Sequence, residues 1–290
     1  MEVRYVGWPE IRACRKEGSP GIPDAAEGLY VSGSLEGLER SCVAIVGTRA
    51  ASRNGQSLTH RIAADLARAG VCVISGLALG IDGAAHAGAL EAGGPTIGIL
   101  GSGHRCFFPR RNHGLGEQMI AAGGAVCSPY SPDRPALPHQ FIERNAVVAA
   151  LADAVVVVEA PSRSGALNTA AWAAGRIPVL VFPGDVDRTK VAGCLALIRD
   201  GATLVRNSRD ILEELRLPAS REQLDLPLAA HEVHDPMQRA ILVALSDDVL
   251  SEDELIEHLK CKAAALLAAL TELELTGAIE RRDAGRFARR

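Results

Sequence analysis

The fold of this chain is decided by the stretch CVAIVGTR, residues 42–49, in which five apolar residues lead into a glycine. Similar apolar runs, most of them four to six residues long, recur along the next 160 positions, separated by segments long enough for a helix. Continuous apolar runs of this length are typical of parallel strands buried on both faces. The sequence therefore predicts an α/β protein with a doubly wound, mostly parallel Rossmann-like sheet. The further runs are 71–75, 96–100, 125–128, 154–159, 179–182 and, more weakly, 203–205.

Glycines follow the predicted strands at their carboxyl ends. In open α/β sheets ligands bind at this edge, because helix N-termini there present unpaired N–H groups to anions. We therefore expect the functional site to lie on this edge of the molecule. The glycines concerned are Gly47, Gly76, Gly101, Gly165 and Gly184.

The remaining segments predict a lead-in, a linker and a second small domain. Residues 1–40 contain no long periodic run and are expected to pack on the main domain at 41–215. Prolines and scattered acids between 216 and 235 predict a linker. From 236 to 290, three helical segments and a hairpin predict a winged-helix domain.

The charge distribution restricts where a nucleic acid could bind. The chain has 31 basic and 35 acidic residues, a net charge of −4, so it lacks the basic excess of a general nucleic-acid coat protein. Residues 41–215 hold 16 basic and 14 acidic residues, whereas residues 220–259 hold two and ten. Any nucleic-acid site is therefore expected to be local and to lie on the main domain.

Cysteine spacing and hydropathy argue against several other classes of protein. The seven cysteines include no C-x-x-C pair, so neither a disulfide framework nor a zinc site is predicted. No uncharged stretch approaches the roughly twenty residues that span a bilayer, and the first thirty residues are charged. We expect a cytoplasmic protein without a membrane segment or a metal.

The glycine loops do not match the common nucleotide-binding motifs. The pattern G-x-G-x-x-G is missing after the first strand, and the second strand ends in Ser75 instead of an acid. A P-loop is also missing, so neither NAD nor triphosphate hydrolysis is predicted, and no cofactor is expected. The first strand ends instead at Arg49, which suits phosphate oxygens but could equally pair with a neighbouring carboxylate.

Asp82 and His86 are four residues apart and would share one helix face. They could form an acid/base pair or half of a metal site. Because no third ligand or nucleophile accompanies them, a structural hydrogen bond is the favoured interpretation.

The segment from Phe141 to Asn145 is predicted to precede a helix. It combines an aromatic ring, the Arg144 guanidinium and the Asn145 amide within five residues, as a single-strand site would require. A core phenylalanine beside an ion pair at the helix start is the alternative.

Taken in order, these motifs resemble the DNA processing protein A (DprA/Smf) family. The lead-in at 28–33 and the winged-helix tail are also similar to that family. The motifs are 43–49, 75–82 with His86, Phe141 with Arg144 and Asn145, Glu159 with 164–170, and Pro183 with Gly184 followed by Gly201 and Ala202.

The resemblance implies a cytoplasmic, non-enzymatic protein that binds single-stranded DNA. It also implies that the protein forms a homodimer and helps to load the RecA recombinase during natural transformation. By resemblance, the DNA pocket would comprise Arg49, Gly76, Phe141, Arg144, Asn145, Ser164 and Gly165. The dimer surface would comprise Val191, Leu195 and Ile198, on one helix face, and Leu204 on the last short strand. An ordinary core-facing helix is the alternative for the same residues.

Three positions depart from the family pattern. Ala146 stands where a second arginine is common, which removes one possible phosphate contact. Phe108 replaces a tyrosine and keeps its ring, and Leu195 replaces an asparagine.

Two other functions compete with single-strand binding. A phosphoribohydrolase of the lysine-decarboxylase-like group would need a glutamate in its P-G-G-x-G-T-x-x-E loop, and residues 164–170 lack it. A winged-helix regulator would need a polar recognition helix, whereas residues 263–275 are rich in alanine and leucine. Single-strand binding is therefore favoured.

Overall fold

A computed structural model describes residues 2–15, 26–217, 235–245, 249–275, 278–282 and 285–289. The chain divides into two compact units, Met1–Leu224 and Asp225–Arg290. Most of the predicted linker falls at 218–234, outside the described residues.

The described residues of the first unit form one nine-stranded sheet and eight α-helices. The strands are β1 (Arg4–Gly7), β2 (Gly28–Gly33), β3 (Cys42–Val46), β4 (Cys72–Ser75), β5 (Thr96–Ile99), β6 (Ala125–Ser128), β7 (Ala154–Val157), β8 (Val179–Val181) and β9 (Thr203–Leu204). The helices are α1 (Trp8–Ala13), α2 (Arg53–Arg68), α3 (Ile81–Glu91), α4 (His113–Ala121), α5 (Pro138–Ala150), α6 (Gly165–Ala173), α7 (Ala192–Arg199) and α8 (Ser208–Glu214).

The strand order is β1-β2-β6-β5-β4-β3-β7-β8-β9, and the seven strands from β6 to β9 in this order pair in parallel. The predicted fold class is thereby confirmed, and each predicted apolar run forms a strand. The chain proceeds from β3 in one direction across the sheet and then returns to place β7 on the other side of β3. Such a reversal creates a crevice between the carboxyl ends of the two strands.

The strands are apolar throughout because both faces of the sheet are covered. Ala44 and Val46 of β3 pack into one hydrophobic cluster, which includes residues of α5 and α6. Val43 and Ile45 pack into the other, with residues of α2, α3 and α8.

The lead-in does more than cover the domain. Its strand β2 pairs antiparallel with β6, and β1 pairs antiparallel with β2 at the edge of the sheet. Trp8, Ile11 and Leu29 are buried in the core. Two segments of the lead-in, Arg4–Gly7 and Gly28–Gly33, are therefore strands of the sheet.

The described residues of the second unit form three helices and a small sheet, as the winged-helix prediction requires. The helices are α9 (Pro236–Ala244), α10 (Glu252–Leu259) and α11 (Ala263–Leu275), and the strands are β10 (Leu250–Ser251), β11 (Ile279–Arg281) and β12 (Arg286–Arg289). The sheet order is β10-β12-β11. Ser251 caps α10, and its hydroxyl accepts from the N–H of Glu254 while the Glu254 carboxylate accepts from the N–H of Ser251.

In the described part of the chain, every helix is too short or too polar to span a bilayer. All seven cysteines are free thiols, and Cys42, Cys72, Cys127 and Cys194 are buried. Burial raises the pKa of the Cys194 thiol to about 11 and that of Cys127 to about 12, so both stay protonated at neutral pH.

Candidate functional site

A cleft of about 710 Å³ lies beside the carboxyl ends of β3, β4 and β7, at the reversal of the strand order. Its walls are the loops that follow these strands, together with the first turns of α5 and α6. All seven residues predicted for the pocket line it. They are Arg49, Gly76, Phe141, Arg144, Asn145, Ser164 and Gly165.

Phe141 is the fourth residue of α5 and does not precede a helix, so that part of the prediction is wrong. The helix begins earlier, at Pro138, where the Gln140 side chain accepts a hydrogen bond from the N–H of Leu137 at 3.0 Å. A Cβ placed on Gly101 would lie 2.6 Å from Cδ1 of Phe141. The ring therefore packs on the bare backbone that follows β5.

Two side chains flank the ring of Phe141. The Phe108 ring meets it edge to face with centroids 5.8 Å apart, and Phe108 is 46% exposed. The Arg49 guanidinium carbon lies 5.2 Å from the Phe141 centroid, which is cation–π geometry. An aromatic platform and a charge suited to phosphate therefore stand side by side. Phe108 lines the cleft, although the sequence singled it out only as a departure from the family.

Arg144 is buried, with only 3% of its surface exposed. Its Nη1 donates to the carbonyl oxygens of Gly76 and Ile99. Burial lowers the pKa of Arg144 to about 10, which leaves the guanidinium charged at neutral pH. Arg144 therefore does not project from the cleft as a free phosphate ligand, because its guanidinium donates to one loop carbonyl and to the last carbonyl of β5.

Gly76 creates the space for this arginine. A Cβ at Gly76 would overlap the guanidinium, with 2.6 Å to Cζ and 2.7 Å to Nη2. Ala146, where the family commonly has arginine, is also buried. The floor of the cleft is therefore fitted to one arginine, supplied by α5.

Asp82 and His86 are both buried, and they have separate partners. The Asp82 carboxylate accepts from the N–H groups of Gly76 at 3.1 Å and Ala78 at 3.4 Å, and burial raises its pKa. His86 Nδ1 donates to Thr96 Oγ1 at 2.7 Å, since that hydroxyl donates to a carbonyl. Burial lowers the pKa of His86 to about 3, so the ring is neutral. Both residues hold loops and strands together, but the expected hydrogen bond between Asp82 and His86 is wrong, because each side chain bonds to other partners.

The start of α6 forms the opposite wall. The Ser164 hydroxyl caps the helix by accepting from the N–H of Ala166 at 3.3 Å, and Gly165 is exposed. Asn145 Nδ2 donates to the carbonyl oxygen of Gly165 at 3.1 Å. Asn145 therefore ties α5 to α6 and fixes the width of the cleft.

Arg163 belongs to the same cleft, although it is not among the residues predicted for it. It is exposed, lines the cleft and makes no side-chain hydrogen bond or ion pair within the described ranges. The signal that could have identified Arg163 is its position in the loop after β7, just before Ser164 and Gly165. Arg49 has the same kind of position, in the loop after β3. The residues that line the cleft thus include three arginines, Arg49, Arg144 and Arg163. They include one acid, the buried Asp82, so the net charge of the lining is positive.

The four residues predicted for a dimer surface differ in exposure. Val191 is 4% exposed and belongs to the chain's own core, so it is not available to a partner. Leu195 and Ile198 are partly buried against the same core. Leu204 is 44% exposed and lies on β9, the edge strand of the sheet.

Two family models together match most of the chain. Residues 15–216 match the model of the family described as DNA recombination-mediator protein A. Residues 225–285 match the model of the DprA winged helix domain.

Two named relatives are similar over most of the chain. The chain is 39% identical over 253 residues to the putative DNA processing protein DprA of Mycobacterium tuberculosis, covering 86% of this chain and 64% of that one. It is 36% identical over 256 residues to protein Smf of Escherichia coli, covering 86% and 68%. The chain therefore spans somewhat less than two thirds of the mycobacterial protein.

Two solved structures share the fold. DprA from Streptococcus pneumoniae aligns with a TM-score of 0.66 at 35% identity, covering 74% of this chain and 75% of that one. DNA processing protein A from Helicobacter pylori aligns with a TM-score of 0.64 at 27% identity, covering 74% and 96%, and its structure was described for a single-stranded DNA binding mode.

Proposed function

This chain belongs to the DNA recombination-mediator protein A (DprA/Smf) family, and from that premise we propose that its cleft binds single-stranded DNA. The observation that supports this most is the Phe141 ring, held between Phe108 and Arg49 in a positive cleft. Every base has a π-face, so such a platform accepts any sequence.

Each wall of the cleft has a separate task in this proposal. Phe141 stacks on an unpaired base, while Arg49 and Arg163 neutralise the phosphates on either side of it. The N–H groups at the start of α6 offer a further anion site beside Arg163. Arg144 adds positive charge from the floor without itself reaching the strand.

A duplex should bind less well than a single strand, because its bases are stacked inside and cannot reach Phe141. We expect the full chain to bind a mixed-sequence oligonucleotide at least tenfold more tightly than its duplex, as measured by fluorescence anisotropy. Arg49→Ala and Arg163→Ala should each weaken single-strand binding and lower the salt slope by about 0.7 per lost phosphate contact. Equal affinity for the two forms would contradict the proposal.

We further propose, on the family resemblance, that the protein helps to load RecA on single strands during natural transformation. This role needs neither a cofactor nor a catalytic residue and implies a cytoplasmic protein. The alternative of a phosphoribohydrolase has less support, because the nearby Glu159 carboxylate is occupied by the N–H and hydroxyl of Ser52. Faster RecA filament growth on strands coated with a single-strand-binding protein would support the loading role, and an unchanged rate would oppose it.

The winged-helix unit is proposed to take no part in reading DNA sequence. Arg281, Arg282 and Arg286 of its hairpin are each paired with a glutamate, at 2.9, 2.8 and 3.5 Å. The exposed positions described on α11 are four alanines, Leu267, Thr271 and two glutamates. Groove recognition needs free arginine or amide side chains, so this surface is better suited to a protein partner.

A homodimer is proposed to form through α7 and β9. Leu204→Glu should convert it into a folded monomer by light scattering, because Leu204 is exposed and a charge there costs the monomer little. Leu195→Glu should act in the same way but also lower the melting temperature, since Leu195 packs against the core. If the Leu204→Glu variant remained a folded dimer, the interface would have to lie elsewhere.

A further inference from the structure

We propose that the DNA strand continues from the cleft into a second groove on the other side of Arg49, an inference that rests on the proposed single-strand binding. This groove, called here the α2–α3 groove, has a volume of about 740 Å³. Arg49 lines both the cleft and this groove, so a strand held by its guanidinium lies at the boundary between the two. The groove is lined by side chains of α2 and α3 and by Arg111, Asn112 and Leu115.

The charge of the α2–α3 groove suits a phosphate backbone. Arg111 is exposed and makes no side-chain hydrogen bond or ion pair within the described segments. His60 lies on the same wall, 3.2 Å from the carboxylate of Glu91, and Glu91 is not a lining residue. Arg49 and Arg111 thus face no carboxylate among the lining residues. A second phosphate beyond Arg49 would have Arg111 as its partner.

The wall between the two hollows is rigid. Gly80 has φ of +80°, and a Cβ there would lie 2.7 Å from the carbonyl oxygen of Arg49, so the loops after β3 and β4 meet backbone to backbone. Asn112 Nδ2 donates to the carbonyl oxygens of Leu77 at 2.9 Å and Ala78 at 3.0 Å. A preformed groove loses little conformational entropy when a strand binds.

The floor of the groove leaves room for a sugar or base. Along α3 the groove is lined by Gly83, which has no side chain, and by the methyl groups of Ala84 and Ala87, and Leu79 is 37% exposed. An exposed leucine next to a cation gives an apolar contact within reach of a phosphate site. The groove therefore matches a nucleotide and not an isolated inorganic ion.

The hollow on the opposite side of the cleft is less suited to the strand. It shares Phe108 with the cleft and has a volume of about 970 Å³, but its lining includes Glu2, and Arg105 is paired with Asp133 at 2.8 Å. Arg110 lines this hollow, whereas the next residue, Arg111, lines the α2–α3 groove. The two neighbouring arginines form a matched pair for an experiment.

The test measures the affinity of the full chain for thymidine oligonucleotides of increasing length. In the wild type, affinity should rise stepwise once the strand is long enough to pass Arg49 and reach the groove. Arg111→Ala should weaken long oligonucleotides about fivefold, remove the step and leave the shortest bound oligonucleotide unchanged. Arg110→Ala, with the same change in net charge, should leave the step in place.

A second pair of variants tests the groove without touching an arginine. Ala84→Glu should remove the length step by charge repulsion. Ala84→Gln introduces a side chain of the same shape as glutamate without the charge, and it should retain most of the step. Equal effects of Arg110→Ala and Arg111→Ala at all lengths would overturn the inference, as would a step that survives Ala84→Glu. If the wild type binds no single strand at any length, the proposed function fails as well. If the wild type binds single strands but Arg111→Ala and Ala84→Glu leave the length step in place, this inference alone fails.

Discussion

Replacing Arg144 with methionine is expected to lower the free energy of unfolding by about 3–5 kcal/mol, because it removes one member of a buried charged network. Methionine fills the aliphatic volume, but the carbonyl oxygens of Gly76 and Ile99 lose their donor. Asp82 also loses the positive charge that favours its ionised form. Urea denaturation at pH 7, monitored by circular dichroism, measures the change in the free energy of unfolding.

Two control variants show whether the loss comes from this network. Arg49→Met removes an exposed cation from the same cleft and should change the free energy of unfolding by less than about 0.5 kcal/mol. Arg144→Met combined with Asp82→Asn should be less destabilised than the sum of the single variants, because the unpaired carboxylate is gone. If Arg144→Met were as stable as the wild type, the guanidinium would be free to turn towards a phosphate.

Replacing Phe141 with alanine is expected to weaken single-strand binding by about 1–3 kcal/mol, roughly fivefold to 150-fold, because a stacked base loses its platform. Ile142→Ala is the matched control, since Ile142 is the next residue, lines the cleft and is 56% exposed but has no ring. Anisotropy titrations of both variants with one oligonucleotide give the comparison.

The fold of Phe141→Ala must be verified, because the ring also packs on Gly101 and Phe108. A melting curve near that of the wild type separates lost stacking from lost structure. Equal affinities of Phe141→Ala and Ile142→Ala would show that the cleft is not a stacking site.

The sheet was predictable from sequence because its strands are buried on both sides. In β3 the alternate residues Val43 and Ala44 enter opposite hydrophobic clusters, so the run is apolar without interruption. The antiparallel strands β1 and β2 were not predicted. Tyr5 of the edge strand β1 is 55% exposed, and β2 begins and ends in glycine, so neither strand shows a strong pattern.

The lining of the cleft was largely predictable, but its geometry was not. Residues at the ends of neighbouring strands converge on one crevice by topology alone, which is why all seven predicted residues line the cleft. The burial of Arg144 depends on the missing side chain of Gly76, 68 positions earlier in the chain. Such a long-range fit leaves no local signal, so the burial of Arg144 was not predictable from the sequence.

Photocrosslinking tests the central claim, that single-stranded DNA binds in this cleft, most directly. A single strand with 5-iodouracil at alternate positions is irradiated with the full chain, and the attached peptides are identified by mass spectrometry. We predict adducts on Phe141 or Phe108, the two rings of the cleft, and their loss when unlabelled single strand competes. Adducts confined to the winged-helix unit at 235–290, with none in the cleft, would contradict it.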